Sequence, residues 1–437
     1  MKYSFIQIAM GLAVIATLSL TACEKDFSNP GAATEDQVLA SADGLTALAV
    51  GLQRRWSVGR QSPVYNYVTG SGFSTFELRL INPGNTDEAE LSQGKANITG
   101  NNAVVRNLWE QSLLTRAEAE KILNNLNVIP DASVRAGLQA YASIFHALAN
   151  GTLAQFFEQV PLETKVAAEF TSAQAALEAA VSILEKAKAD LNGVTVPASF
   201  LNKTPKSVDL ANTVNALLAR YYNMLGQHDK AISAANAVDL TVKSTFKYDN
   251  VNPNPIAFIS ISTNNVYQPL NLTLGLPAAL HPSAADARLP FYFQSTNPMN
   301  GDFRAAGFFA TNSTSIPVYL PGEMLLIKAE ALARQNKLSE AVTELNKVLT
   351  KTTAADAFGV GAALPAYGGA QTQEAILTEI YRNRCIELFM SGLKLADSRR
   401  FNRAAPNAAG EERNRNWYPY PNSERVNNPN TPNDPPI

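Results

Sequence analysis

Cys23 can take acyl chains: it follows Leu20-Thr21-Ala22, and cutting before it would free a second acceptor, its own amine. Lys2, the apolar run 5–20 and small residues at the cut have the layout of a secretory signal. Leu-Thr-Ala-Cys resembles the bacterial lipobox, and the run is shorter than the ~20 apolar residues that span a bilayer. Residues 1–22 are thus expected to be removed, leaving an exported chain anchored through lipid on Cys23. Cys385 then has no disulfide partner; within its helical pattern it reads as a small buried hydrophobe.

Two other residue sets could do chemistry. Asp87, Glu88 and Glu90 form a tight acid cluster. Hydrolysis of a glycosidic bond needs two carboxylates roughly 5 to 10 Å apart across a cleft, which near neighbours in sequence seldom provide, so helix-start acids are expected. Calcium needs six to eight oxygens, more than Asn85, Asp87 and Glu90 supply. His146, His228 and His281 lack metal-ligand spacing. No metal, cofactor or catalytic group is expected.

The second set is aromatic. Sugar binding needs flat apolar faces for pyranose C–H groups, flanked by polar groups for hydroxyls. Tyr65, Tyr67, Phe73, Phe76, Glu77 and Arg79 supply such a set in one stretch; Phe291, Tyr292, Phe293, Asn297, Asp302 and Arg304 supply it in another. These are the candidate ligand-binding residues. Arg382, Arg384, Arg399, Arg400 and Arg403 suggest an anion site, but Glu379, Glu387 and Asp397 at helical spacing explain them as intrahelical pairs.

The elements that must position these residues are mostly helical. Segments 104–129, 134–157 and 173–191 keep apolar residues at helical spacing, the first stopping at Pro130. Ala219, Gly226 and Ala231 recur at the same offsets as Ala329, Asn336 and Ala341. Small residues there let paired helices approach, while Gly or Asn ends the first helix left-handed, as in a tetratricopeptide-like hairpin. Pro321 and Glu323 suit the first turn of a helix over 320–335, and Ser339 is the expected N-cap of its partner.

Stretches 57–102 and 250–317, rich in Gly, Asn, Pro and rings, break this pattern and read as irregular insertions with short β-prone runs such as Ile256-Ala257-Phe258-Ile259. The expected layout is a signal segment 1–22, a tether 23–34 and one mainly α domain over 35–437, with irregular loops and a few short strands. In the tail, Trp417-Tyr418-Pro419-Tyr420-Pro421 should pack back, with fraying after Asn427. A net charge of −2 over 437 residues gives no basic footprint for nucleic acid.

Four segments carry a resemblance. Tyr141 to Phe157-Glu158-Gln159-Val160-Pro161-Leu162, Tyr319 to Ala331, Ile380 to Phe389 with Gly392 and Asp397-Ser398-Arg399-Arg400-Phe401, and Trp417 to Glu424 with Asn428-Pro429 are similar to blocks of the SusD/RagB nutrient-binding lipoproteins of the Bacteroidetes outer membrane. Ser391, Leu395 and Tyr420 depart from the usual glutamate, tryptophan or tyrosine, and isoleucine.

The resemblance implies a scaffold of four tetratricopeptide-like units, with ligand-holding loops opposite it. It implies an oligomeric nutrient, commonly a glycan and in some relatives a peptide, and a SusC-type TonB-dependent transporter as partner. Glu24 and Asp26 resemble the signal that sends such lipoproteins to the outer face of the outer membrane. Two other readings remain: a glycan-cleaving enzyme, for which no carboxylate pair is visible, and a tetratricopeptide-type adaptor binding protein near Arg220 and Lys328.

Overall fold

The computed structural model describes residues 33–262, 265–297 and 302–437. The signal segment, Cys23, Glu24 and Asp26 lie outside the described residues, as do the side chains of Asn297 and Asp302.

The longer helices are α1 (Ala42–Ser57), α2 (Pro63–Ser74), α3 (Thr86–Gln93), α4 (Ala103–Asn124), α5 (Ala132–Phe156), α6 (Ala173–Leu191), α7 (Leu210–Met224), α8 (His228–Asn236), α9 (Pro321–Arg334), α10 (Leu338–Leu349), α11 (Gln373–Glu387) and α12 (Lys394–Arg400). Many begin on a side-chain oxygen that accepts a first-turn N–H: Ser62 for α2, Asn102 for α4, Asp131 for α5, Ser172 for α6, Asp209 for α7 and Thr372 for α11. Helix α5 is the axis of the core, buried from Ala136 to Phe156, and lies against α4, α6 and α7. Helix α9 packs on α8, α10 and α11 and carries the helical scaffold onward.

The two repeats form as their spacing dictates. Gly226 and Asn336 are left-handed (φ 70° and 60°), and the next amide, Gln227 or Lys337, donates back to Tyr222 or Leu332. Ala219, Ala231, Ala329 and Ala341 have no exposed surface, so the helices of each pair meet on methyl groups. Ser339 caps nothing: the turn at Asn336 starts α10 at Leu338, with Lys337 in the cap position and Ser339 already inside.

Stretch 57–102 is mostly helical, holding α2, α3 and strand β1 (Leu78–Leu80). Pro63 at the first position of α2 and the Ser62 cap overcome its glycines. The β-prone run from Ile256 is also helical, because Asn254 accepts from Ile256 and Ala257 N–H ahead of a turn that Pro255 starts. The short strands are β2 (Gln159–Pro161), β3 (Phe170–Ser172), β4 (Thr245–Phe246), β5 (Tyr267–Pro269), β6 (Phe293–Asn297), β7 (Asp302–Ala305) and β8 (Ile316–Pro317), paired β1–β5, β2–β3, β4–β8 and β6–β7. Pairing of β1 with β5 sets Arg79 opposite Gln268 and ties the two stretches together.

The tail is docked throughout. Tyr418 and Tyr420 are fully buried, Tyr418 against Phe156 and Tyr420 against Trp109. The end does not fray: Asn428 donates to Ala168 O, and Asp434 accepts from Tyr420 N–H. Among the described residues no helix is long and apolar enough to cross a membrane.

Candidate functional site

Both ring-bearing stretches close on the turn 388–393 that follows α11. Met390 and Gly392 there are left-handed (φ 55° and 82°). Gly392 lies beneath the Tyr67 ring, where an added Cβ would overlap it. Glu77 accepts the Met390 N–H at 3.4 Å; from the other stretch, Tyr292 donates its hydroxyl to Glu387 O at 2.7 Å, and Phe293 packs on Phe389 at 4.9 Å. Gly392→Ala is expected to cost about 2 kcal/mol, from forced left-handed backbone plus overlap. Gly226→Ala, with nothing near its Cβ, should cost about 1 kcal/mol. Thermal melting of both variants checks the contrast.

Between the stretches lies a cavity of about 70 Å³, lined by Tyr67, Arg220, Tyr292, Phe308, Tyr319 and Glu323 among others. That is room for a few waters, far less than a sugar ring. Arg220 grips both oxygens of Glu323 (2.6 and 2.7 Å) and donates to Val318 O. Burial pushes the Tyr67 phenol up, with Arg220 opposing. The cavity is the inner end of an aromatic cluster whose outer end is open.

At that outer end Phe291, Phe303 and Phe358 are half-buried. Phe308 beneath them packs edge-on to Phe291 (5.2 Å) and Phe358 (5.8 Å). Phe303 leans on Phe293 at 6.0 Å. Gly307 has no side chain to hold the Phe291 ring away. The Lys243 ammonium lies 5.6 Å from the Phe358 ring centre; Arg304 is exposed on β7, on the face opposite Phe303 by strand alternation. Partly covered rings flanked by a cation can stack on a sugar and bind its hydroxyls.

The other candidates fall elsewhere. Tyr65, Phe73, Tyr292 and Phe293 are buried, so their rings are core and present no open face. Tyr65 donates to Glu88 at 2.6 Å, and Phe73 packs edge-on to Tyr267 at 5.7 Å. Glu77 is buried; Phe76, left-handed at φ 61°, and Arg79 are half-buried near the β1–β5 pair. Phe303, Phe308, Phe358 and Lys243 were not singled out by sequence. Phe308 had only the Phe308-Phe309 pair as a signal, and Phe358 and Lys243 lie outside the two stretches.

The acid cluster is structural. Buried Glu88 takes Arg60 and Tyr65, Asp87 accepts the Ala103 N–H at 2.6 Å, and Glu90 accepts from Asn102 at 2.9 Å. Asp87 and Glu90 fix the start of α4, while Glu88 ties Arg60 to α2 through Tyr65. Among the described residues no group of His, Cys, Asp and Glu gathers as metal ligands. Cys385 is buried, and burial pushes its thiol up to about 12.

Of the arginines, Arg382 and Arg400 make the expected pairs within their own helices, with Glu379 and Asp397. Others reach across elements: Arg384 to Asp397, Arg400 also to Glu330, and Arg403 to Glu412. Arg399 takes no carboxylate: it donates to the carbonyls of Gln155 and Asn416 and lies 3.7 Å over the Trp417 ring.

A helical-hairpin scaffold that gathers loops around a partly open aromatic cluster is the SusD-like fold. Residues 307–435 match the SusD family. Among solved structures, a SusD superfamily protein from Bacteroides fragilis superposes with a TM-score of 0.63 at 17% identity, over 89% of this chain and 98% of that one. A SusD-like carbohydrate binding protein from Bacteroides vulgatus ATCC 8482 gives 0.69 at 14%, over 90% and 98%. A laminarin-binding SusD-like protein gives 0.64 at 15%, over 91% and 99%. No curated protein matches in sequence. Over residues 307–435 the chain thus resembles the SusD family, and over about nine-tenths of its length it has the SusD-like fold.

Proposed function

We propose that this protein captures an oligomeric nutrient, a glycan first, on the face made by Phe291, Phe303 and Phe358 with Lys243. It then hands the nutrient to a SusC-type TonB-dependent transporter. One observation carries the reading: Phe291 and Phe303 come from the ring-bearing stretch 250–317, and in the structure their rings stand half-open where the core would otherwise have buried them. The laminarin-binding and carbohydrate-binding neighbours share the fold around that face and support a sugar as ligand. Anchoring through lipid on Cys23, a tether over 23–34 and display at the outer membrane surface complete the proposal. The adaptor reading loses its surface, because Arg220 is buried against Glu323 and Lys328 is held by Glu344 at 3.0 Å.

A glycan array with the soluble chain should return hits that weaken about tenfold in Phe291→Ala and Phe358→Ala, for the loss of one stacked ring, roughly 1 kcal/mol or a little more. Unchanged affinity in both variants would move the site elsewhere. Mild-detergent pull-down should recover a large barrel protein with the chain; recovery of the chain alone would remove the transporter.

A further inference from the structure

Two of the open rings, Phe291 and Phe358, stand on segments far apart in sequence, yet one line of buried charge joins them. Phe358 projects from the loop 351–363 after α10, which closes on Lys351: its carbonyl accepts the Ala363 N–H at 2.9 Å. Inside the loop, Asp356 Oδ1 accepts the N–H groups of Phe358 and Val360 at 2.8 and 3.1 Å, and the Asp356 carbonyl accepts that of Gly359 at 3.0 Å. Gly359 is left-handed (φ 79°) and completes the reversal. The backbone around Phe358 is thus tied to one carboxylate.

The other oxygen of Asp356 receives the Lys351 ammonium, whose side chain is only 7% exposed. The same ammonium bonds Glu387 Oε1 at the end of α11, and Glu387 Oε2 pairs with Arg288. Arg288 opens the short helix Arg288–Tyr292 that carries Phe291. One residue ahead of it, the Ala287 N–H donates to Ala362 O at 3.0 Å, a direct tie between the two segments. Both rings then rest edge-on against Phe308.

Stability gives little reason for a buried lysine here, because apolar groups of similar volume often serve a core as well as a buried ion pair does. What the ammonium adds is geometry: several donors on one nitrogen hold two carboxylates from different segments at once. We propose that Lys351 is a positioning residue of the binding face. By holding Asp356 to Glu387 it fixes Phe358 relative to Phe291, and the two rings meet a chain of sugars as one preorganised platform. The inference rests on the nutrient-binding reading and narrows it: the ligand favoured is an oligomer long enough to touch both rings. A platform already in place spares the ordering cost that loose rings would bring to binding.

The test uses the full chain with 4-fluorophenylalanine in place of Phe358. One sharp fluorine resonance is expected, broadening or splitting in Lys351→Met, while the same label in place of the core ring Phe145 reports no change. Lys351→Met leaves Asp356 without an ion pair among the described residues, which weakens the fold. Lys351→Met combined with Asp356→Asn removes both charges and should show the same change at 358. For binding, the strongest hit of the glycan array is used as an eight-unit oligomer and as its single sugar. The oligomer should bind either variant about tenfold more weakly and the single sugar within twofold. Adding Phe358→Ala to Lys351→Met should weaken the oligomer no further. A merely structural role would weaken both lengths alike, through loss of folded protein. Equal weakening of both lengths, or an unchanged fluorine resonance at 358 in both variants, overturns the proposal. Unchanged binding in Phe291→Ala and Phe358→Ala instead removes the nutrient site, and the fluorine resonance still decides the role of Lys351.

Discussion

Arg288→Met should remove about 3 to 5 kcal/mol of stability and abolish glycan binding with it. Arg288 is wholly buried and serves three acceptors: both oxygens of Asp286 (2.9 and 2.7 Å), Glu387 at 3.1 Å and Asn383 at 2.9 Å. Lys351 approaches Glu387 from the other side at 2.7 Å and also takes Asp356 at 2.6 Å, so two cations hold three buried carboxylates. Among the described residues, removing Arg288 leaves Asp286 without an ion pair and Glu387 with one. The energetic penalty is that of unpaired buried charge, far above the lost contacts themselves. Arg288 also opens the short helix Arg288–Tyr292, which carries Phe291 to the aromatic face. Urea unfolding should show a lower midpoint with an unchanged slope. Arg288→Lys should not restore it, since one ammonium cannot span three acceptors at guanidinium geometry. A Met variant within 1 kcal/mol of wild type would show that the network is incidental.

The network was not legible in the sequence, and of the open face only Phe291 was, for a physical reason. Helical periodicity and the Ala-Gly-Ala spacing report local backbone and close packing, so the hairpins at Gly226 and Asn336 could be read from one strand of text. Burial of a ring in a loop depends on what lands on it from elsewhere. Tyr65 and Phe73 looked like a sugar platform because glycine surrounds them, yet that glycine-rich run is α2 and its rings point into the core. Phe358 lies in a loop after α10 and becomes part of the site only because Phe308, fifty residues earlier, lies under it. The arginines misled in the same way: spacing offered partners within one helix, while the fold supplied Glu330 and Glu412 from outside it. What the family blocks mark is the turn 388–393, to which both stretches are fastened, and not the face that they display.

That fastening is expected to be sensitive to pH through Glu77. Its carboxyl is pushed up to about 7, first by burial, with Asp397 adding to the shift and Lys394 and the Met390 N–H opposing it. Its Oε2 has no hydrogen-bond partner among the described residues, while Lys394 spends its own donors on the carbonyls of Thr75 and Leu274. In the unfolded chain the group titrates near 4.5. Between those values the folded state holds a proton that the unfolded state has released, so this group's contribution is greatest below pH 4.5 and is lost as pH rises through 7. At about 1.4 kcal/mol per unit, the full swing is on the order of 3 kcal/mol. Glu77→Gln keeps the shape and removes the charge. Its urea midpoint should therefore fall less than the wild type's from pH 5 to 8, and should exceed it at pH 8. Parallel curves for the two proteins would mean that Glu77 is already ionised in the fold. Because Glu77 also accepts from Leu270 N–H through its backbone, its ionisation would loosen both stretches at the turn they share, and glycan affinity should decline over the same pH range.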